Sequence, residues 1–155
     1  MNYAPHFRDT EIILEPDRSA EAAVVWLHGL GADGGDFLPI VGELQLQEAL
    51  PVRFVFPHAP LRPVTVNAGY VMRAWYDIKA FTPEGRADAA GLAESVERVN
   101  GYLEQEVARG VPAERVVLAG FSQGGAVALS AGLRSGERLA GLLALSTYLP
   151  FHARL

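Results

Sequence analysis

The stretch that most constrains this chain is VVLAGFSQGGAVALSAG, residues 116–132. An apolar β-prone run at 116–118 leads to a serine set among Gly120, Gly124 and Gly125, and small helix-forming residues follow at 126–129. The pattern predicts a strand, a sharp turn and a helix, with the glycines leaving Ser122 room at the apex. Gly120-x-Ser122-x-Gly124 is the signature of a nucleophile elbow, and the strand before it and helix after it supply the required context. The competing reading is a Gly-rich strand-to-helix turn whose serine only caps the helix.

The rest of the chain sets limits on what that serine serves. At 155 residues, half of them apolar and none repeated or low in complexity, residues 1–155 read as a single domain with one core. A net charge of -5 disfavours nucleic acid and anionic membrane surfaces as partners and suits a small or uncharged substrate. Without cysteine there is no disulfide framework, thiol chemistry or cysteine-based metal site. The start MNYAPHFRDT lacks the apolar core of a signal peptide, and no apolar run is long enough to span a bilayer. A cytoplasmic protein with no metal and no cofactor is expected.

Along the chain, residues 10–14 read as a short edge strand ending at Glu15-Pro16-Asp17. Residues 22–27 (AAVVWL) form a continuous apolar run, the mark of a strand buried on both faces, and end at His28-Gly29-Leu30-Gly31. Asp36 is placed to cap a helix with Pro39 in its first turn and Leu38, Val41 and Leu44 on one face. Residues 52–56 give a third buried strand, and 61–81 a long structured loop holding Trp75-Tyr76-Asp77. Leu92, Val96, Val99, Leu103 and Val107 recur at helical spacing before Gly110, and 139–145 give a last buried strand. Strands alternating with helices predict an α/β fold with a mostly parallel sheet and helices on both faces.

In such sheets ligands bind beyond the carboxyl ends of the strands, where residues 28–36, 58–77 and the elbow meet. A serine hydroxyl is a poor nucleophile, so acyl transfer also needs oxyanion donors and a base. The backbone N–H of Gln123, at a helix amino terminus, is the first donor, and that of Leu30 the simplest second one. The His28 side chain is better read as a satisfied core histidine, because oxyanion donation there uses backbone. His6 falls in a segment expected to be loose, and His58 in a Pro-bounded loop where a structural role is favoured.

Trp26-Leu27-His28-Gly29-Leu30-Gly31-Ala32-Asp33, Arg62-Pro63-Val64-Thr65, Trp75-Tyr76-Asp77-Ile78, Gly120-Phe121-Ser122-Gln123-Gly124-Gly125 and Leu145-Ser146-Thr147-Tyr148 stand in order along the chain. With these motifs, running to about Pro150, the chain resembles the carboxylesterase and acyl-protein thioesterase branch of the α/β-hydrolases. The resemblance implies a three-layer α/β-hydrolase fold, Ser122 as nucleophile and Leu30 and Gln123 as oxyanion donors. It also implies an acyl-pocket wall built from the Met72 to Trp75 segment, although Trp75 and Tyr76 fit core packing equally well.

The resemblance further implies a catalytic Asp and His beyond the last strand, and only FHARL follows Pro150. The fold is therefore expected to be truncated after the strand that follows the elbow helix. His152 is the candidate surrogate base, since parallel strands end on one edge of the sheet; the alternative is a solvated tail histidine. The exposed apolar edge left at 139–145 predicts a homodimer or larger assembly. Two functions stay open: a serine carboxylesterase acting on short- to medium-chain acyl esters or thioesters, and a catalytically impaired hydrolase-like module that binds a ligand or partner.

Overall fold

In the computed structural model, which describes residues 2–46, 48 and 50–154, the chain runs through eight strands and three α-helices. In order they are β1 (Tyr3–Phe7), β2 (Glu11–Pro16), β3 (Ala22–Leu27), α1 (Ile40–Glu43), β4 (Val52–Pro57), β5 (Leu61–Val64) and β6 (Tyr70–Arg73). After these come α2 (Ala89–Ala108), β7 (Val116–Phe121), α3 (Gln123–Arg134) and β8 (Gly141–Leu145). Six strands form the central sheet in the order β1-β2-β4-β3-β7-β8. β4, β3, β7 and β8 run parallel, with β1 and β2 antiparallel at one side.

The continuous apolar run of β3 feeds both faces of the sheet. Ala23, Val25 and Leu27 pack with Val116 and Leu118 against Leu92, Val99 and Leu103 of α2 and Val127 and Ala131 of α3. Trp26 points the other way, into a second cluster with Phe54, Phe56, Ala119 and Val41. This period-two division of one strand between two cores makes the fold three-layered. The two long helices lie on one face, and α1, a single turn, lies on the other.

α2 begins where the Asp88 side chain accepts hydrogen bonds from the N–H groups of Ala90 and Gly91, and ends before Gly110 at φ +94°. Of its expected stripe, Leu92, Val99 and Leu103 are buried and Val96 is half-buried, whereas Val107 is 49% exposed.

Several expectations are corrected. Residues 10–14 are not the edge: β2 is covered by β1, which pairs Pro5 with Leu14 and His6 with Ile13, so His6 sits in a strand and not in a loose segment. A proline is tolerated there because the outermost strand need not donate on both sides. Asp36 caps no helix; residues 33–41 make successive i+3 turns, Asp33 accepts from the Gly35 N–H, and α1 starts only after Pro39. The turns pass close to β4, where Gly34 has no room for a side chain: a Cβ there would lie 2.4 Å from the Phe56 carbonyl oxygen. Residues 61–81 are not a plain loop, because β5 and β6 form a hairpin turned through Ala68 (φ 57°) and Gly69 (φ 75°). Its strands read poorly because Leu61, Tyr70 and Val71 face outward. The last strand is shorter than 139–145 and only partly buried, with Leu143 41% exposed at the sheet edge.

Candidate active site

Ser122 sits between β7 and α3 with φ 52° and ψ -119°, a backbone conformation that non-glycine residues rarely adopt. The sheet and its neighbours hold it there. Its N–H donates to the Leu145 carbonyl at 2.9 Å, and its carbonyl accepts from the Ala126 N–H at 3.1 Å and from Thr147 Oγ1 at 2.6 Å. Its hydroxyl makes no capping hydrogen bond to α3, which removes the capping alternative. The flanking glycines answer to close approach: a Cβ at Gly120 would lie 2.4 Å from the Gly124 carbonyl oxygen, and one at Gly124 would lie 2.3 Å from that of His28.

Gln123 opens α3, so its N–H belongs to the first turn, where helix geometry supplies no intrahelical acceptor. Its side chain is 3% exposed and works as a brace: Oε1 accepts from the Trp75 N–H at 2.7 Å, and Nε2 donates to the Tyr76 carbonyl at 2.8 Å. Sequence reasoning assigned only the backbone of this residue. Leu30 lies in the turn after β3, where the Gly31 N–H donates to the Arg73 carbonyl at 2.8 Å and joins this turn to the hairpin.

His28 is a satisfied core histidine, as its place at a strand end suggested. Nε2 accepts from the Ala59 N–H at 2.9 Å, so Nδ1 carries the proton and donates to the Gly29 carbonyl at 2.7 Å. Burial pushes its pKa below the usual histidine value, which keeps the ring neutral. His58 is also structural: Nδ1 accepts from the Gly34 N–H at 3.0 Å, and burial, then Arg73, lower its pKa.

Met72 lies beside the Leu30 turn, its sulfur 3.7 Å from where a Cβ on Gly31 would stand. Trp75 is 1% exposed and uses its indole N–H on the His28 carbonyl at 2.8 Å. Tyr76 is buried behind it, with its hydroxyl 2.6 Å from that of Tyr148, which in turn donates to the Arg86 carbonyl at 3.0 Å. His152 is exposed in a short 3-10 turn (His152–Arg154), beside a groove lined by Glu84, Arg86 and Tyr148. No hydrogen bond among the described residues joins it to Ser122. The described residues contain no group of three or more His, Asp or Glu side chains that could hold a metal ion.

A family model described as phospholipase/carboxylesterase matches residues 8–155. The chain belongs to that family. Acyl-protein thioesterase 1 of Yarrowia lipolytica is 41% identical over 138 residues, covering 87% of this chain and 61% of its own length. Acyl-protein thioesterase 1 of Cryptococcus neoformans is 36% identical over 146 residues, covering 92% of this chain and 60% of its own. The chain thus spans about three fifths of the curated relatives it matches. Among solved structures, Arabidopsis thaliana SOBER1 superposes with a TM-score of 0.80 at 36% identity over 87% of this chain and 65% of its own. Zea mays acyl-protein thioesterase 2 does so with a TM-score of 0.75 at 28% identity over 91% and 63%. The fold is that of the α/β-hydrolases, and no helix among the described residues is long and apolar enough to cross a membrane.

The two structural histidines give the site a pH dependence. Both rings have pKa values below the ordinary one, so the unfolded chain takes up protons first as the pH falls through about 6.5. Their contribution to stability is whole above that value and is lost below it. The urea midpoint is expected to fall between about pH 7 and about pH 5.5, and a flat profile would contradict the assignment.

Proposed function

We propose that this chain is a serine carboxylesterase hydrolysing short- to medium-chain acyl esters, thioesters included, through an acyl-enzyme on Ser122. The observation that carries the reading is the serine's strained backbone, φ 52° and ψ -119°, with a hydroxyl left unused by the helix it precedes. The Ser122 oxygen attacks the acyl carbonyl carbon and gives up its proton to a base. The N–H groups of Gln123 and Leu30 hold the developing oxyanion. Collapse of the tetrahedral intermediate expels the alcohol or thiol, and water then releases the acid from Ser122. Membership of the family supports ester hydrolysis, and the names of the acyl-protein thioesterase relatives support including thioesters.

Met72, beside the Leu30 turn, forms the acyl wall in this reading, and Trp75 holds that wall from behind. His152 is the candidate base. It follows β8, whose Leu145 pairs with Phe121 of the parallel β7, so both chain ends leave the same edge of the sheet.

The test is p-nitrophenyl butyrate turnover by wild type, Ser122→Ala and His152→Ala, with the intact mass measured on the same samples. Ser122→Ala is expected to fall to background, and His152→Ala by about a hundred-fold. An unchanged Ser122→Ala overturns the esterase reading and leaves a hydrolase-like module that binds a ligand or partner; an unchanged His152→Ala removes that histidine from the mechanism.

A second copy of the chain is the partner this reading adds. The outer edge of β8 offers backbone hydrogen-bonding groups beside the exposed Leu143, an arrangement that favours strand pairing. A cysteine-free chain is in keeping with the cytoplasm as its compartment. Sedimentation at micromolar concentration is expected to give a dimer or larger species, and a clean monomer would overturn the assembly.

A further inference from the structure

Thr147 lies two residues beyond β8 and has no part in the chemistry above. Its hydroxyl donates to the Ser122 carbonyl at 2.6 Å, while its alternative acceptor, the Tyr148 carbonyl, stands at 3.4 Å, too far to compete. The accepting carbonyl is one end of the peptide unit joining Ser122 to Gln123. That unit is planar and trans, so its other end, the Gln123 N–H, points the opposite way. The Thr147 hydroxyl, at 2.6 Å the shorter of the two donors that hold this carbonyl (the other is the Ala126 N–H at 3.1 Å), thereby helps to fix the direction of the N–H. Drawing electron density toward the carbonyl oxygen also makes the N–H a stronger donor, because hydrogen bonds in a chain polarise one another.

The second expected oxyanion donor is built the same way. The Leu30 N–H shares a peptide unit with the Gly29 carbonyl, which accepts from His28 Nδ1 at 2.7 Å. Each of the two peptides therefore has its carbonyl held by a buried or half-buried side-chain donor. One donor comes from the end of β3 and the other from just beyond β8. Gly125 makes the Thr147 contact possible: a Cβ there would lie 2.7 Å from Thr147 Cβ and 2.8 Å from both Cγ2 and Oγ1.

We infer that Thr147 is a positioning residue for acyl transfer, its hydroxyl aiming and polarising the Gln123 N–H toward the oxyanion. The inference rests on the acyl-transfer reading of Ser122. Two substitutions separate the hydroxyl from the packing. Thr147→Val keeps the Cβ and a methyl against Gly125 and loses only the donor, whereas Thr147→Ser keeps the donor and loses the methyl.

The first readout is the Gln123 amide proton in a two-dimensional 1H–15N spectrum. It is expected to move upfield in Thr147→Val and to return toward its wild-type position in Thr147→Ser. The second is the affinity for 1-butaneboronic acid, a probe of the oxyanion site. The Ser122 oxygen forms a bond to boron, the hydroxyl proton passes to solvent, and the tetrahedral boronate anion presents an oxygen to the two N–H groups. Its dissociation constant is expected to rise about tenfold in Thr147→Val, less than the hundred-fold or more that loss of a donor itself brings, and to stay within about twofold in Thr147→Ser. An unchanged Gln123 amide or unchanged boronate affinity in Thr147→Val overturns the inference. Boronate that fails to bind wild type, or that binds Ser122→Ala equally well, overturns the acyl-transfer reading, while the Gln123 amide still decides whether Thr147 grips the peptide.

Discussion

The structure turns on a single unfavourable backbone conformation, that of Ser122. A non-glycine residue at φ 52° and ψ -119° costs on the order of 1–3 kcal/mol and persists only when its surroundings over-determine it. Here they do so from three sides. β8 takes the Ser122 N–H through the Leu145 carbonyl, Thr147 takes its carbonyl, and Gly124 lets α3 close directly onto the end of β3. Burial of Ala126, Val127, Ala128 and Ala131 then fixes α3 against the sheet, so the strain cannot relax by moving the helix.

The segment holding Trp75 and Tyr76 links the elbow to the rest of the domain. Ser95 of α2 donates to the Trp75 carbonyl, the Trp75 N–H donates to the Gln123 side chain, and that side chain donates onward to Tyr76. The indole of Trp75 reaches the His28 carbonyl, next to the peptide that carries the Leu30 N–H. One buried polar network thus runs from α2 through the wall segment to both expected oxyanion peptides. Such networks hold a single geometry because each buried donor left unpaired costs about 1–3 kcal/mol.

What the sequence made legible follows from where one interaction dominates. β3 was readable to its boundaries because a strand buried on both faces must be apolar throughout, and α2 because one face of a long helix meets the core. The elbow was readable because its glycines are demanded by close backbone approach: a Cβ at Gly120 or Gly124 would lie 2.4 or 2.3 Å from a carbonyl oxygen. β1 and the β5–β6 hairpin were not, since most of their side chains are exposed or half-buried, Val64 being buried, and they carry no clean apolar alternation. Asp36 had the chemistry of a cap but stood in a run of tight turns pressed on β4. The bracing side chains of Gln123 and Thr147 left no signal either: their partners are backbone groups remote in sequence, and any residue can supply a carbonyl.

If the strain at Ser122 is held for chemistry and not for stability, relieving it must make the protein more stable. Glycine adopts this conformation without a Cβ penalty, at the cost of greater freedom in the unfolded chain. The most direct measurement is the unfolding free energy of Ser122→Gly against wild type by urea titration. A gain of about 1 kcal/mol is expected. A variant no more stable than wild type would contradict a strained elbow held in place by the sheet.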